Sequence, residues 1–439
     1  MHLIVRLPRR PSFAARASRA CRSGVGALAV LFLLVAGQGA RLSAEQSDRA
    51  DLTEWTHRLN EAIKRHDAAE EVLCLTTIQH QWPWAFSSLP RSVVERALAD
   101  ADDVALGAPR IELLQILYER RWKRADGTEP SVWWRELSLA LLERNQPDEA
   151  VAVAAHITDP YQLVAIRADN RYRPITKSDL VEHDVRKATE KQLDWWREAA
   201  AREPRNLSRV IGVGRQLLLL HRYDEALKLA EAAQKRLASP AAYDDQERQS
   251  PWLAELRASA LFALGRHQEA VAVLRGTCNE SSPDAISHCL NLADALVELN
   301  LPHEALAAIP DLKKASKYGH AVATLLQVMA ASELGDSATM DSALAELRAQ
   351  PASRRELLKG LVVTGRLDEA AQVLVTRLAD PDLRCHTLLD LQDFHEFPAP
   401  EQLQKWRAQL RQLRARPDVT EAIKSHGRID AYSLPGLLF

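Results

Sequence analysis

The apolar positions of the chain recur at helical spacing. Around residue 217 they fall at Val210, Val213, Leu217 and Leu218. After a polar break they resume at Ala226, Leu229, Ala230 and Ala233, with Leu237 one turn on. Each set marks one face of a helix, so the segment predicts two amphipathic helices joined by a turn. The same reading predicts helix pairs at 52–65 with 67–77 and at 91–99 with 109–123. It also predicts closing helices at 399–415 and 417–425. Glycine is scarce at 16 residues, and Ala, Leu, Glu, Arg and Gln dominate. These residues favour helix, and a β-rich chain of this length needs more Gly-rich turns and β-branched runs.

A short phrase punctuates the helices. It reads Asn145-Gln-Pro-Asp-Glu-Ala150, His221-Arg-Tyr-Asp-Glu-Ala226, Gly265-Arg-His-Gln-Glu-Ala270 and Asn300-Leu-Pro-His-Glu-Ala305. It degenerates to Gly335-Asp-Ser-Ala-Thr-Met340 and returns as Gly365-Arg-Leu-Asp-Glu-Ala370. Gly or Asn at the first position suits the left-handed conformation that ends a helix. Acidic residues near the fifth position suit the first turn of the next helix. The small last residue lets two helices approach closely. Successive first positions lie 76, 44, 35, 35 and 30 residues apart. The 44 is accounted for by a polar insertion, residues 239–251, bounded by Pro240 and Pro251. The 76 leaves room for a divergent helix pair around residues 160–203.

On these phrases the chain resembles the tetratricopeptide-repeat family, whose period is about 34 residues. Trp134 and Leu137 fill the family's large-residue and Leu slots. Gly214, Ala226 and Ala233 fill its Gly and Ala slots, and Leu292, Ala293 and Leu296 fit in a later unit. Leu stands in the Tyr slot throughout, and Arg257 and Arg354 depart from the pattern. The resemblance covers roughly residues 131–380. It implies an all-α solenoid of stacked antiparallel helix pairs, a TPR-like superhelix, whose inner helices line a groove. It places Arg135, Arg215, Trp252, Glu255 and Asp294 on that groove. Two further echoes suggest duplication: Asp159-Pro160 with Asp380-Pro381, and Trp133-Trp-Arg-Glu136 with Trp195-Trp-Arg-Glu198.

The amino terminus is of another character. Residues 1–44 contain seven Arg and neither Asp nor Glu, and an apolar run spans Val25–Ala36. Small residues follow it. This order predicts a secretory signal peptide over residues 1–44, with a periplasmic or secreted product. The alternative is an uncleaved inner-membrane anchor at 23–40, whose 18 uncharged residues only just span a bilayer. Setting the segment aside from 57 basic and 59 acidic residues leaves a net charge of −9. A chain that acidic has no electrostatic basis for binding nucleic acid.

Export permits disulfides. Cys278 and Cys289 flank a predicted helix corner and are expected to be bonded; two buried thiols are the alternative. Cys74 and Cys385 are left unpaired. Signatures of catalysis are missing: no G-x-S-x-G, S-x-x-K, P-loop or H-E-x-x-H occurs. Gly212-Val-Gly214 follows no strand and has no third Gly, so it is no dinucleotide fingerprint. His221, His267 and His303 occupy successive turns and are read as turn residues rather than as a metal ladder. Cys385, His386 and His395 with Asp390 or Asp393 are likewise read as helix surface. The pairs Trp82/Trp84, Trp133/Trp134 and Trp195/Trp196 are read as core, with a stacking platform as the alternative.

These observations give four segments: 1–44 signal or anchor, 45–130 helical flank, 131–380 repeat array, and 381–439 helical cap with an apolar tail. The expected function is a non-enzymatic, exported scaffold that holds a protein or peptide partner in its groove. No catalytic residue, metal or cofactor is assigned. The alternative is an auxiliary helical component of a cell-envelope, cell-wall enzyme system.

Overall fold

A computed structural model describes residues 44–103, 107–239, 242–278, 284–350, 353–436 and 438. The signal or anchor segment and Cys21 lie outside the described residues. Among the described residues no helix is long and apolar enough to cross a membrane. The fold is all-α, built from adjacent helix pairs, with one small two-stranded sheet. It divides into two units, residues 44–158 with 174–181, and residues 159–173 with 182–438. The boundary falls inside the span read from the sequence as one array.

The N-terminal unit contains α1 (Ala44–Arg65), α2 (Ala68–Gln81), α3 (Pro83–Ser88) and α4 (Arg91–Asp103). It continues with α5 (Gly107–Glu119), α6 (Ser131–Glu143) and α7 (Pro147–Ala154). Its core holds Leu59, Leu75, Leu98, Leu113, Trp133 and Trp134. Trp134 meets Tyr118 edge-on at 5.5 Å and donates its Nε1–H to Glu129 at 3.0 Å.

The C-terminal unit opens with α8 (Pro160–Ala168) and α9 (Val185–Arg202). Five pairs follow: α10 (Leu207–Leu219) with α11 (Tyr223–Arg236), α12 (Gln246–Ala263) with α13 (His267–Thr277), and α14 (Ala285–Glu298) with α15 (Pro302–Ala308). The others are α16 (Lys317–Leu334) with α17 (Ser337–Ala349), and α18 (Arg354–Val363) with α19 (Leu367–Ala379). Then come α20 (Pro381–Asp390), β1 (Asp393–His395), α21 (Glu401–Arg414), α22 (Pro417–His426) and β2 (Ala431–Pro435).

Local chemistry explains the regular joints. All six phrase-opening residues are left-handed: Asn145 (φ 59°), His221 (60°), Gly265 (75°), Asn300 (57°), Gly335 (70°) and Gly365 (70°). In each joint the next residue donates its N–H to the carbonyl five positions back, at 2.8–2.9 Å, as in Arg222 to Leu217 and Arg366 to Leu361. That bond satisfies a carbonyl that the ending helix leaves open. The phrase-closing residues Ala150, Ala226, Ala270, Ala305 and Ala370 are at most 1% exposed, so a larger side chain has no room there. His66 (φ 55°) makes the same joint between α1 and α2, with Asp67 donating to Ala62 at 3.0 Å, although no phrase marks it.

The insertion before α12 does not stay outside the helix. α12 begins at Gln246 and takes in Pro251. Asp245 explains why this stretch is anchored: its carboxylate accepts the N–H groups of Leu207 (2.7 Å) and Ser208 (3.0 Å) at the start of α10. A negative charge at a helix N-terminus is favourable.

The end of the C-terminal unit returns to its beginning. α8 packs on α20, and the Asp-Pro echo takes on a physical meaning there. Asp159 caps α8, Asp380 caps α20, and Pro160 and Pro381 are the first residues of the two helices. Cys385 Sγ donates to the Ala165 carbonyl at 3.6 Å, and Tyr161 donates its hydroxyl to the Pro435 carbonyl at 2.9 Å. Arg428 N–H donates to Ala168 O at 2.9 Å. A Cβ on Gly427 would lie 2.2 Å from that carbonyl oxygen, so the approach needs glycine. Beyond Gly427 the chain runs parallel to β1 as β2. The apolar tail, expected to cover a helical cap, thus also closes on the first helix of its unit; Leu434 and Leu438 are buried. The paired glycines serve packing: a Cβ at Gly212 would strike Trp196 at 2.3 Å, and one at Gly214 would strike Leu256 at 2.2 Å.

Candidate functional site

Helices α10, α12, α14, α16 and α18 form the inner row of the C-terminal unit. α10 packs on α12, α14 on α16, and α16 on α18. Because the left-handed joints share one geometry, equal offsets from them fall on equal faces. Six residues before each joint stand Arg215, Ser259, Asp294, Met329 and Lys359. This row mixes charge, polarity and one thioether, and all but Arg215 are buried.

Four sequence-chosen groove residues lie in this unit: Arg215, Trp252, Glu255 and Asp294. Arg135 lies in α6 of the N-terminal unit, where it is buried. Glu255 is the centre of a network that bridges α12 and α14. It accepts from His288 Nδ1 at 2.5 Å and from Asn291 Nδ2 at 2.7 Å. Trp252 meets the His288 ring edge-on at 5.0 Å. His288 is fully buried, and its Nε2 has no hydrogen-bond partner. Sequence reading missed His288 and Asn291. Their only signal was position, one and two helical turns into α14 beside Cys289.

Arg215 is half-buried and has no hydrogen bond or ion pair among the described residues. Burial lowers its pKa, and the Glu255 carboxylate opposes that shift. Glu255 already accepts from two donors and does not pair with it directly. Asp294 sits farther along α14 near Glu298. Burial pushes the Glu298 carboxyl up, Asp294 adds to the rise and Lys359 works against it.

The disulfide Cys278–Cys289 joins the end of α13 to α14 one residue after His288. It ties down the helix that carries the network. Cys74 and Cys385 are buried and take part in no disulfide among the described residues. A carboxylate-held imidazole is the geometry of a general base. Here no hydroxyl or thiol stands within hydrogen-bond reach of His288 Nε2 among the described residues.

The turn histidines part company. His221 stacks on His395, His267 lies tilted on Phe262 at 4.6 Å, and His303 is exposed. Asp390 is held by Arg355 through two bonds of 2.7 and 2.9 Å. Among the described residues no group of three or more His, Cys, Asp or Glu is placed to hold a metal. The tryptophans divide: Trp133 and Trp134 are core, Trp82 is buried, and Trp84 is 55% exposed. Trp195 and Trp196 meet edge-on at 4.9 Å, both half-buried.

No protein-family model matches the chain, and comparison with curated proteins finds no match.

Proposed function

We propose that the protein is an exported, non-enzymatic scaffold of the tetratricopeptide kind. In this reading the inner row of its C-terminal unit holds a segment of a partner protein. Arg215 carries the argument: it is a partly desolvated cation on an inner helix, within the field of Glu255, and it makes no hydrogen bond or ion pair among the described residues. Holding such a group out of water costs free energy unless a counter-charge arrives. A partner segment supplies that charge, while the Trp252 indole offers apolar area. The Arg-rich, apolar amino terminus and the Cys278–Cys289 bond support delivery to the periplasm or beyond.

The test is Arg215→Glu in the mature chain, with crosslinking in its own envelope fraction. Capture of the partner is expected to be lost while far-ultraviolet circular dichroism stays the same. Unchanged capture would remove this groove from consideration. N-terminal sequencing of the exported chain tests cleavage, and a start between residues 37 and 46 is expected.

A further inference from the structure

The return of the C-terminal unit to its own first helix raises the question of what holds it shut. Three kinds of contact do so. Hydrogen bonds join the Arg428 N–H to the Ala168 carbonyl and the Tyr161 hydroxyl to the Pro435 carbonyl. Apolar contact includes Tyr161 against Phe394, edge-on at 5.9 Å. The third is a stack of two imidazoles, His221 of the α10–α11 joint and His395 of β1, with ring centres 4.1 Å apart and planes inclined by 30°.

We propose that the His221–His395 stack is an acid-released latch on the closing strands β1 and β2. Neutral imidazoles stack favourably, whereas two imidazolium rings at this distance repel each other. No carboxylate is among the groups acting on His221, and the two carboxylates that flank His395 in the chain, Asp393 and Glu396, are paired with Arg414 and Arg411. The groups around His221 are Tyr223 on its own joint, stacked at 5.7 Å, His395 on β1, the Ser433 backbone on β2, and Arg186 on α9. Two of these are basic. Burial, with smaller contributions from His395 and Arg186 and against the Ser433 hydrogen bond, lowers the His221 pKa from 6.5 to about 4. The folded, closed form therefore favours neutral His221. Stability from this source is complete above pH 6.5 and is lost as pH falls through about 4.

The joint itself constrains the design. His221 holds φ 60°, a conformation that Asn or Gly accepts and a β-branched residue does not. All five other phrase joints hold Asn or Gly, and among the phrase joints only here does the left-handed residue carry a ring that reaches β1.

Amide hydrogen exchange of the mature chain at pH 7.5, 6 and 4.5 tests the latch. Results are expressed as protection factors, which remove the direct effect of pH on exchange chemistry. Protection across residues 428–435 is expected to fall about tenfold between pH 7.5 and 4.5, the pKa shift being discounted for the partial exposure of His221. His395→Phe keeps a stacked ring and removes one of the two charges, so its protection should respond to pH less than wild type, with buried His221 still titrating. His221→Asn keeps the left-handed joint, removes the buried imidazole itself, and should lose the pH response. Wild-type protection that is constant with pH would overturn the latch, as would an unaltered pH response in either variant. Partner capture at neutral pH is read separately by Arg215→Glu, so a failed latch leaves the groove reading standing, and a failed groove leaves the latch result intact.

Discussion

Glu71 in the N-terminal unit and Asp390 in the C-terminal unit are both buried carboxyl groups, and their surroundings differ. Asp390 receives two bonds from Arg355 and has Arg377 at 3.9 Å. Glu71 accepts no hydrogen bond from a donor group on either oxygen and lies against Asp100, a second acid to which only a protonated Glu71 can bond. Burial, with the Asp100 charge adding to the rise and Arg96 opposing it, raises its pKa from 4.5 to about 8. Asp390 keeps its buried charge by pairing it. Glu71 is driven toward the neutral acid instead. The pairing in the C-terminal unit lies between α18 and α20, and α20 is the helix that meets α8. A paired charge there fixes orientation as well as balance, whereas a protonated acid between α2 and α4 asks only for volume.

Breaking the pair gives the largest effect. Asp390→Ala leaves two buried guanidinium groups without their carboxylate and is expected to cost about 4 kcal/mol. Denaturant unfolding, with exchange resolved by unit, should show the loss in the C-terminal unit. A loss under about 1 kcal/mol would mean that the pair does not organise the closure. Next comes Gly427→Val. Its Cβ would meet the Ala168 carbonyl at 2.2 Å and Leu388 at 2.6 Å, and the backbone cannot yield without parting the strands from α8. The expected cost is about 3 kcal/mol, confined to the same unit. Replacing Cys278 and Cys289 together by Ser should cost about 2 kcal/mol, since the closed loop is short. The sharper readout there is the side-chain resonances of His288, which should broaden as α14 loses its tether. Unchanged resonances would separate the disulfide from the site.

These sites differ in how far the sequence revealed them. The joints were legible because a left-handed residue narrows the choice of side chain within one position, and the buried alanine five residues later narrows it again. Arg215, Trp252 and Glu255 could be found by counting from those joints. His288 could not, because its partner Glu255 lies 33 residues away and one histidine in a helix has no period. The closure was hidden for the same reason on a larger scale: it depends on Gly427 meeting Ala168. Strands of three and five residues are too short to show alternation, so β1 and β2 passed as part of a loop and a tail. The Asp-Pro echo was visible as similarity, but nothing local says that two similar helix starts pack together.

The smallest substitution effect is also the one that tests the comparison most directly. If Glu71 holds a proton at neutral pH, Glu71→Gln replaces one neutral group by another of like shape, and the cost at pH 6 should stay below about 1 kcal/mol. The pH response should then separate the two forms. Glu71 is raised on folding, so its contribution is complete below pH 4.5 and is lost as pH rises through about 8. Wild-type N-terminal unit should lose on the order of 3 kcal/mol between pH 5 and pH 9, and Glu71→Gln should show little of that slope. The direction is opposite to that expected for His221 in the C-terminal unit, so one pH series on one chain reads both. A flat wild-type profile in the N-terminal unit would mean that Glu71 keeps its charge and finds compensation within that unit, and the contrast with Asp390 would then be one of partner identity rather than of protonation.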